Sequence, residues 1–235
     1  MHPTPMALLS LGFVLGLRHA LDVDHLAAVS TLVSARRSVF GASIVGAVWG
    51  LGHTTSLLLA SIGVIALHAQ IPASLARGLE FCVALMLVGL GANLLRTLRR
   101  GGHIHLHPHT HDGHAHVHPH LHEPGSEDSH QHSGVGSRPF LVGLVHGLAG
   151  SAGLMLVVLA TIPSPALALA YVAVFGVGSI GGMMAMSSLL GVPLALAAER
   201  FTRVERVLKT GAALASIGIG VALAWSLGMD AGLLS

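Results

Sequence analysis

The chain has 235 residues, of which 52% are hydrophobic and only 9% are charged, and its mean hydropathy is +0.75. Soluble domains carry about 25% charged residues, so this composition excludes an ordinary water-soluble globular protein. The formal net charge of +2 gives no support to nucleic-acid binding. A single cysteine, Cys82, excludes an intramolecular disulfide and argues against a thiolate metal site. The composition therefore predicts an integral membrane protein whose polar chemistry comes from other side chains.

Six apolar segments are long enough to cross a hydrocarbon core, which takes about 20 helical residues. The segments are residues 6–33, 39–67, 74–97, 139–162, 166–198 and 207–228. We predict an all-α, polytopic membrane protein with six transmembrane helices. The first segment has no basic start and is interrupted by polar residues, so we expect it to stay in the mature chain rather than act as a cleaved signal peptide.

The first segment contains the stretch GLRHALDVDH, which places five ionisable residues in apolar surroundings. An ionised side chain at mid-membrane costs about 2.5–3.5 kcal/mol, so a functional role is the default interpretation. On a regular helix His19, Asp22 and His25 share one face, and we predict that they are metal ligands. Asp24 points elsewhere and is expected to support the site together with Arg18. If the helix is unwound here, Asp24 turns inward as a further ligand.

Histidines and carboxylates without thiolates suit Ni²⁺, Co²⁺ or Zn²⁺, whereas Cu⁺ prefers sulfur ligands. Methionines do occur in GGMMAMSS, but their spacing on a helix of small residues is typical of packing. The expected cargo is therefore a borderline divalent cation.

The second segment adds His53, which lies in WGLGHTTSLLLAS between small and hydroxyl residues. Gly50 and Gly52 permit close helix approach, and the hydroxyls of Thr54 and Ser56 are suited to bridging helices. We predict that His53 completes the metal site as a ligand or a proton relay, with Thr54 and Ser56 in support. The alternative is a structural hydrogen bond between helices.

Residues 101–138 hold 12 of the 18 histidines together with Gly, Pro and Ser, and they separate the two halves of the chain. We expect a disordered loop that buffers or senses metal, because a simple polar linker has no need for so many imidazoles. The alternative is such a linker. The histidines are His103, His105, His107, His109, His111, His114, His116, His118, His120, His122, His130 and His132.

Ten of the 12 Lys and Arg residues lie at the first, third and fifth loops between the predicted helices. The positive-inside rule therefore places these loops in the cytoplasm and both termini outside. We predict a multi-pass protein of the inner (cytoplasmic) membrane, with its His-rich loop in the cytoplasm.

A weak internal repeat relates the two halves: GLRHAL parallels GLVHGL, and WGLG parallels FGVG. Three helices in each unit require an inverted-topology repeat, with residues 1–100 and 139–235 on either side of the loop at 101–138. His146 then occupies the position of His19, and is either a ligand or a structural contact. His2 is a further candidate, since a free terminal amine, the amide and the imidazole of His2 can together chelate Ni²⁺.

The stretch RHALDVDHLAAV resembles the signature of the nickel/cobalt transporter family (NiCoT and its NicO relatives), and GHTTS is similar to that family's second signature. The resemblance covers the first third of the chain. It implies a permease for Ni²⁺ or Co²⁺ in which the residues matching His19, Asp22, Asp24, His25 and His53 are required. The acidic signatures of larger members are absent from GLAGSAGLM and GSIGGMMAMS, so the chain resembles a short, UreH-like member whose metal preference, coupling ion and direction stay open.

We therefore predict transport of Ni²⁺ or Co²⁺, with uptake preferred over efflux, and no prosthetic group. The expected partners are the lipid bilayer, divalent metal ions and cytoplasmic nickel chaperones or urease/hydrogenase maturation proteins. One alternative is a metal-binding accessory protein for urease or hydrogenase that translocates nothing. A rhomboid-like serine protease, with Ser151 as nucleophile and His146 or His53 as base, leaves the carboxylates without a role, so we do not expect an enzyme.

Overall fold

The computed structural model describes residues 4–36, 38–67, 72–100, 105–111, 114–120, 136–149, 162 and 164–230. Within these ranges the chain forms seven helices and one pair of strands. In chain order they are α1 (Pro5–His19), α2 (Val23–Val33), α3 (Val39–Leu67), α4 (Ala73–Arg99), β1 (His105–His111), β2 (His114–His120), α5 (Arg138–Ala149), α6 (Pro165–Arg200) and α7 (Thr202–Asp230).

The first apolar segment is broken rather than continuous. The axes of α1 and α2 differ by 57°, so residues 6–33 do not form one regular helix, and the unwound alternative describes this segment. A tight turn makes the break, because the Leu21 amide donates to Arg18 O at 2.9 Å and the Asp22 amide donates to His19 O at 3.1 Å. Asp22 then takes an extended conformation as the N-cap residue of α2, a position that favours aspartate.

Four helices, α3, α4, α6 and α7, are long and apolar enough to span a membrane, and the bent pair α1–α2 makes up to five. The chain is thus a multi-pass membrane protein. The predicted fourth segment, residues 139–162, begins with α5, and its residues 150–161 lie outside the described residues. The count of six spans accordingly stays a prediction.

Glycines bring the helices around the first break into backbone contact. α1 packs against α6, α5 against α3, and α3 against α6. A Cβ atom built at Gly16 would overlap Phe175 O, and one built at Gly143 would overlap Trp49 O. Such small residues allow membrane helices to approach closely. These contacts hold α1 against α6 and α5 against α3.

α4 and α7 form a second packed pair beside this group. The Ser216 hydroxyl of α7 donates to Leu87 O of α4 at 2.8 Å, and Gly91 of α4 lies directly against Ala213 O. α2 also packs on α7, which joins the pair to the rest of the bundle.

His105–His111 and His114–His120 pair as two antiparallel strands, and the disorder expected for residues 101–138 as a whole stays a prediction. His105 is registered with His120 and His111 with His114. Histidine alternates here with other residues at the period of a strand, and the intervening dipeptide Asp-Gly is typical of hairpin turns. Every described element outside residues 101–138 is a helix, so the all-α class holds for the membrane part.

Candidate metal centre

Three imidazoles converge inside the bundle. His19 is the last residue of α1, His25 lies in the first turn of α2, and His53 lies near the middle of α3. One ligand atom from each lies within 4.8 Å of the other two. The ring centroid of His19 is 4.3 Å from that of His25 and 5.1 Å from that of His53. The break after α1 creates this arrangement, because it turns His25 back toward His19.

The facing nitrogens of these rings have no protein partner. Within the described residues, His19 Nε2, His25 Nε2 and both ring nitrogens of His53 are buried and make no hydrogen bond. Buried polar atoms are nearly always bonded, so several unpartnered nitrogens in one place need an explanation. A neutral imidazole nitrogen is a good ligand for Ni²⁺, Co²⁺ and Zn²⁺, and a divalent cation would satisfy all three rings at once.

Asp22 contacts His19 from the outer side of this cluster. The His19 Nδ1–H donates to Asp22 Oδ2 at 2.7 Å, which explains why this N-cap carboxylate does not cap its own helix. The Asp22 side chain is 54% exposed. A carboxylate in this position fixes the orientation and tautomer of a ligand histidine. The structure therefore places Asp22 behind His19 rather than among the three rings, because the helix that would have aligned them is broken.

Asp24 lies deeper, with 25% of its side chain exposed, and joins two buried histidines. Its Oδ1 accepts from His25 Nδ1 at 3.2 Å, and its Oδ2 accepts from His146 Nε2 at 2.8 Å. Ligand atoms of Asp24, His25 and His146 also lie within 4.8 Å of one another. Asp24 has turned inward, as the unwound alternative requires, and α5 brings the buried His146 to the same place.

Aromatic side chains that the sequence analysis did not assign to the site form part of its wall. The Trp49 ring centroid lies 5.3 Å from that of His25 and 5.7 Å from that of His146, and Phe175 lies 5.5 Å from His19. Trp49 Nε1 is buried without a hydrogen-bond partner among the described residues. The only signal in the sequence is that Trp49 and Phe175 begin the paired motifs WGLG and FGVG.

The predicted supporting residues have separate places. Thr54 Oγ1 donates to Gly176 O at 3.3 Å and joins α3 to α6, whereas Ser56 Oγ donates to His53 O at 2.8 Å within α3. Arg18 is exposed, and in the described part of the chain it forms no ion pair with either site carboxylate. Both site carboxylates instead bond to histidines.

Six residues named as candidates from the sequence lie outside the described residues: His2, Ser151, His103, His122, His130 and His132. His53 and His146, the alternative protease bases, belong to the histidine cluster.

The fold and this cluster define a polytopic membrane protein with a histidine-rich interior site. The chain belongs to the UreH family, because it is 31% identical over 232 residues to the urease accessory protein UreH of Bacillus sp. (strain TB-90), covering 97% of this chain and 95% of that protein. The UreH-like membership predicted from the signatures is thus confirmed.

A second relative is the chloroplast protein FOR GROWTH AND FERTILITY 2 of Arabidopsis thaliana, which is 26% identical over 217 residues. The match covers 90% of this chain but only 54% of the plant protein, so the chain spans about half the length of that relative. No family model matches the chain, and no solved structure matches it.

Proposed function

We propose that the protein is a secondary permease that moves Ni²⁺ or Co²⁺ across the cytoplasmic membrane, with uptake favoured over efflux. The observation that carries this proposal is the convergence of His19, His25 and His53, whose buried, unpartnered nitrogens lie between apolar helices. The cation is the transported substrate and not a resident cofactor.

The donor set supports a borderline divalent cation. Four imidazoles and two carboxylates come together, and no sulfur atom belongs to either candidate ligand group of the described residues. Imidazole binds Ni²⁺, Co²⁺ and Zn²⁺, and the carboxylates offset part of the dication's charge in a low-dielectric interior. The relative UreH is a urease accessory protein, which is consistent with Ni²⁺ as the cargo here.

A broken helix supports transport better than storage. Interrupted membrane helices place backbone and side-chain polar groups at the midplane of many secondary transporters. The break between α1 and α2 puts His19, Asp22, Asp24 and His25 at one such interruption. The site thus lies where a small change in the angle between two half-helices would alter access.

We further propose that six spans form an inverted 3+3 repeat around this site. The matched motifs make matched contacts, since Gly16 lies against Phe175 O just as Gly143 lies against Trp49 O. His19, which follows Gly16 by three residues, then corresponds to His146, which follows Gly143 by three.

The outer pair of helices supports the same repeat. Gly91 of α4 lies against Ala213 O of α7, and Gly220 of α7 lies against Ala84 O of α4. Each helix therefore presents a glycine to the backbone of the other, as a two-fold relation requires.

The His-rich segment is proposed to be cytoplasmic and to hold metal near the inner opening, where nickel chaperones or urease/hydrogenase maturation proteins would receive it. The basic residues that flank this segment support the cytoplasmic location. Ligation of the metal at this segment is a separate step from its passage through the membrane site.

The test of transport is uptake of radioactive Ni²⁺ and Co²⁺ into proteoliposomes that contain the purified full-length protein in a known orientation. We expect saturable flux of at least one of these metals, with excess unlabelled Ni²⁺ competing and Mg²⁺ not competing. Protein-free liposomes are the control. Absence of flux for both metals in both orientations would contradict the proposal, and the faster direction distinguishes uptake from efflux.

The similarity to a urease accessory protein favours a second candidate, an accessory protein that delivers metal without moving it across the membrane. Deleting residues 103–132 separates the two functions. A permease should keep most of its flux after the deletion and lose only metal buffering, whereas an accessory protein should lose its main activity, measured as metal transfer to an apo-enzyme in vitro.

A further inference from the structure

We infer that the cluster holds the cation in two successive positions that share His25. Position A consists of His19, His25 and His53, and position B consists of Asp24, His25 and His146. The inference rests on the proposed function, because it divides the passage of the cation into two steps.

The His25 ring lies in contact with both groups. Its centroid is 4.3 Å from that of His19 and 4.2 Å from that of His146, and 5.3 Å from that of His53. The centroids of His53 and His146 are farther apart, at 6.2 Å. His25 is thus the histidine common to both groups.

The two nitrogens of His25 are in different states. Nδ1 donates to Asp24 at 3.2 Å, whereas Nε2 is buried and unpartnered among the described residues. Position A therefore offers a free imidazole nitrogen from each of its three histidines. Position B is closed by two hydrogen bonds to Asp24, which a cation would have to replace.

A neutral imidazole binds a cation through one nitrogen only, so His25 cannot serve both positions at the same time. When the cation moves from A to B, its bond to His25 Nε2 breaks and a bond to Nδ1 forms. Nδ1 gives its proton to water that is not bound to the cation, and Nε2 takes a proton from water, so His25 carries one proton before and after the move. The His146 proton moves in the same way from Nε2 to Nδ1, so the total number of protons is unchanged. In the structure His146 Nδ1 has no hydrogen-bond partner among the described residues.

The ligands of the two positions come from different parts of the chain. Position A uses only α1, α2 and α3, whereas position B adds His146 from α5, 122 residues after Asp24. Position B also includes a carboxylate, which position A lacks. The move from A to B thus transfers the cation from three neutral ligands to a group that carries negative charge and joins the two halves of the chain.

The alternative to a ligand role for His146 is a purely structural one, in which its hydrogen bond orients Asp24. His146→Gln separates the two, because a glutamine amide can still donate to Asp24 while the imidazole ligand is lost. His53→Ala disables position A and leaves the residues of position B intact.

The experiment is a titration of Co²⁺ into the purified full-length protein in detergent, followed by visible absorption and by the number of cations bound. The variants are His53→Ala and the double variant His53→Ala/His146→Gln. The loop histidines contribute equally to both, so their difference reports position B alone. We expect His53→Ala to bind one more Co²⁺ than the double variant. Equal binding by the two variants would overturn the inference.

Transport provides the second readout. We expect His146→Gln to reduce Ni²⁺ or Co²⁺ flux by about tenfold or more, although position A still binds Co²⁺. Wild-type flux in His146→Gln would overturn the inference and leave the permease proposal standing. If the wild type shows no flux, the permease proposal fails, and the difference in Co²⁺ binding still decides between one position and two. His19→Ala replaces His53→Ala if the latter is not monodisperse on size exclusion.

Discussion

Asp22 and Asp24 are two residues apart, yet they contact different histidines at different depths. Asp22 accepts from His19 and is largely exposed, whereas Asp24 accepts from both His25 and His146. Loss of Asp24 removes a charged acceptor from two fully buried rings, whereas loss of Asp22 affects one ring that is 11% exposed. We therefore expect Asp24, which orients two imidazole rings, to contribute more to metal transport than Asp22, which orients one.

This difference predicts which of two conservative variants loses more metal flux. Asp24→Asn should lower metal flux in proteoliposomes by about 10–100-fold, and Asp22→Asn should lower it by less, because an amide does not stabilise the N–H donors of His25 and His146 as a carboxylate does. The measurement is the initial rate of metal flux for both variants at equal protein density in the proteoliposomes. A larger loss for Asp22→Asn than for Asp24→Asn would contradict the assignment.

At this scale the sequence predicted which residues meet but not how they meet. His19, His25 and His53 were predicted as neighbours, and the structure brings them together. The angular argument placed Asp22 with the ligands and Asp24 behind them, because it assumed a regular helix. A turn made by two backbone hydrogen bonds leaves no signature in residue spacing, so the spacing did not predict which carboxylate faces inward.

Among the elements, α3 carries the clearest packing requirement. A Cβ atom built at Gly52 would overlap Phe140 O of α5, whereas one built at Gly63 meets nothing within 4 Å. The two glycines lie on the same helix, eleven residues apart, and differ in what they face. Contact between α3 and α5 brings His146 toward the cluster. Gly52 therefore affects the site indirectly, because it allows α5 to approach α3 closely.

Gly52→Ala and Gly63→Ala therefore form a matched pair for stability. Gly52→Ala should destabilise the fold by about 1–3 kcal/mol, because the added methyl group meets backbone that cannot move aside cheaply. Gly63→Ala should be neutral or stabilising, since alanine has the higher helix propensity. Thermal unfolding of both variants in the same detergent is the measurement. A melting temperature equal to wild type for Gly52→Ala would contradict the close approach.

Element boundaries were largely predictable. The apolar run 39–67 coincides with α3, and the runs 74–97 and 207–228 lie inside α4 and α7. Hydropathy follows the membrane environment directly, so it locates helices well. Hydropathy does not distinguish a broken helix from a continuous one, so it does not locate the break at residues 20–22.

For the whole molecule, the pairing of α1 with α6 and of α5 with α3 joins segments far apart in the chain around one site. The repeated motifs predicted that the two halves are related, but they did not predict which glycine meets which carbonyl. Orientation in the membrane rests on charge alone, with ten of 12 Lys and Arg assigned to one side.

Cysteine labelling tests this orientation. In a Cys82→Ser background, Ser126→Cys in the His-rich segment should react with a membrane-impermeant maleimide only after the cells are permeabilised, because the positive-inside rule places the segment in the cytoplasm. Ser235→Cys at the C-terminus should react in intact cells and is the control for access. The reverse pattern would contradict the predicted orientation.

The central claim is that the buried histidine cluster is the path of the metal, and His25 is common to both of its ligand groups. The most direct measurement is radioactive Ni²⁺ flux into proteoliposomes by His25→Ala. Thr55→Ala is the control, since the Thr55 hydroxyl donates to Leu51 O of its own helix and Thr55 belongs to neither ligand group. We expect flux at the level of protein-free liposomes for His25→Ala and near wild-type flux for Thr55→Ala, with both variants monodisperse. Flux by folded His25→Ala equal to that of the wild type would contradict the account.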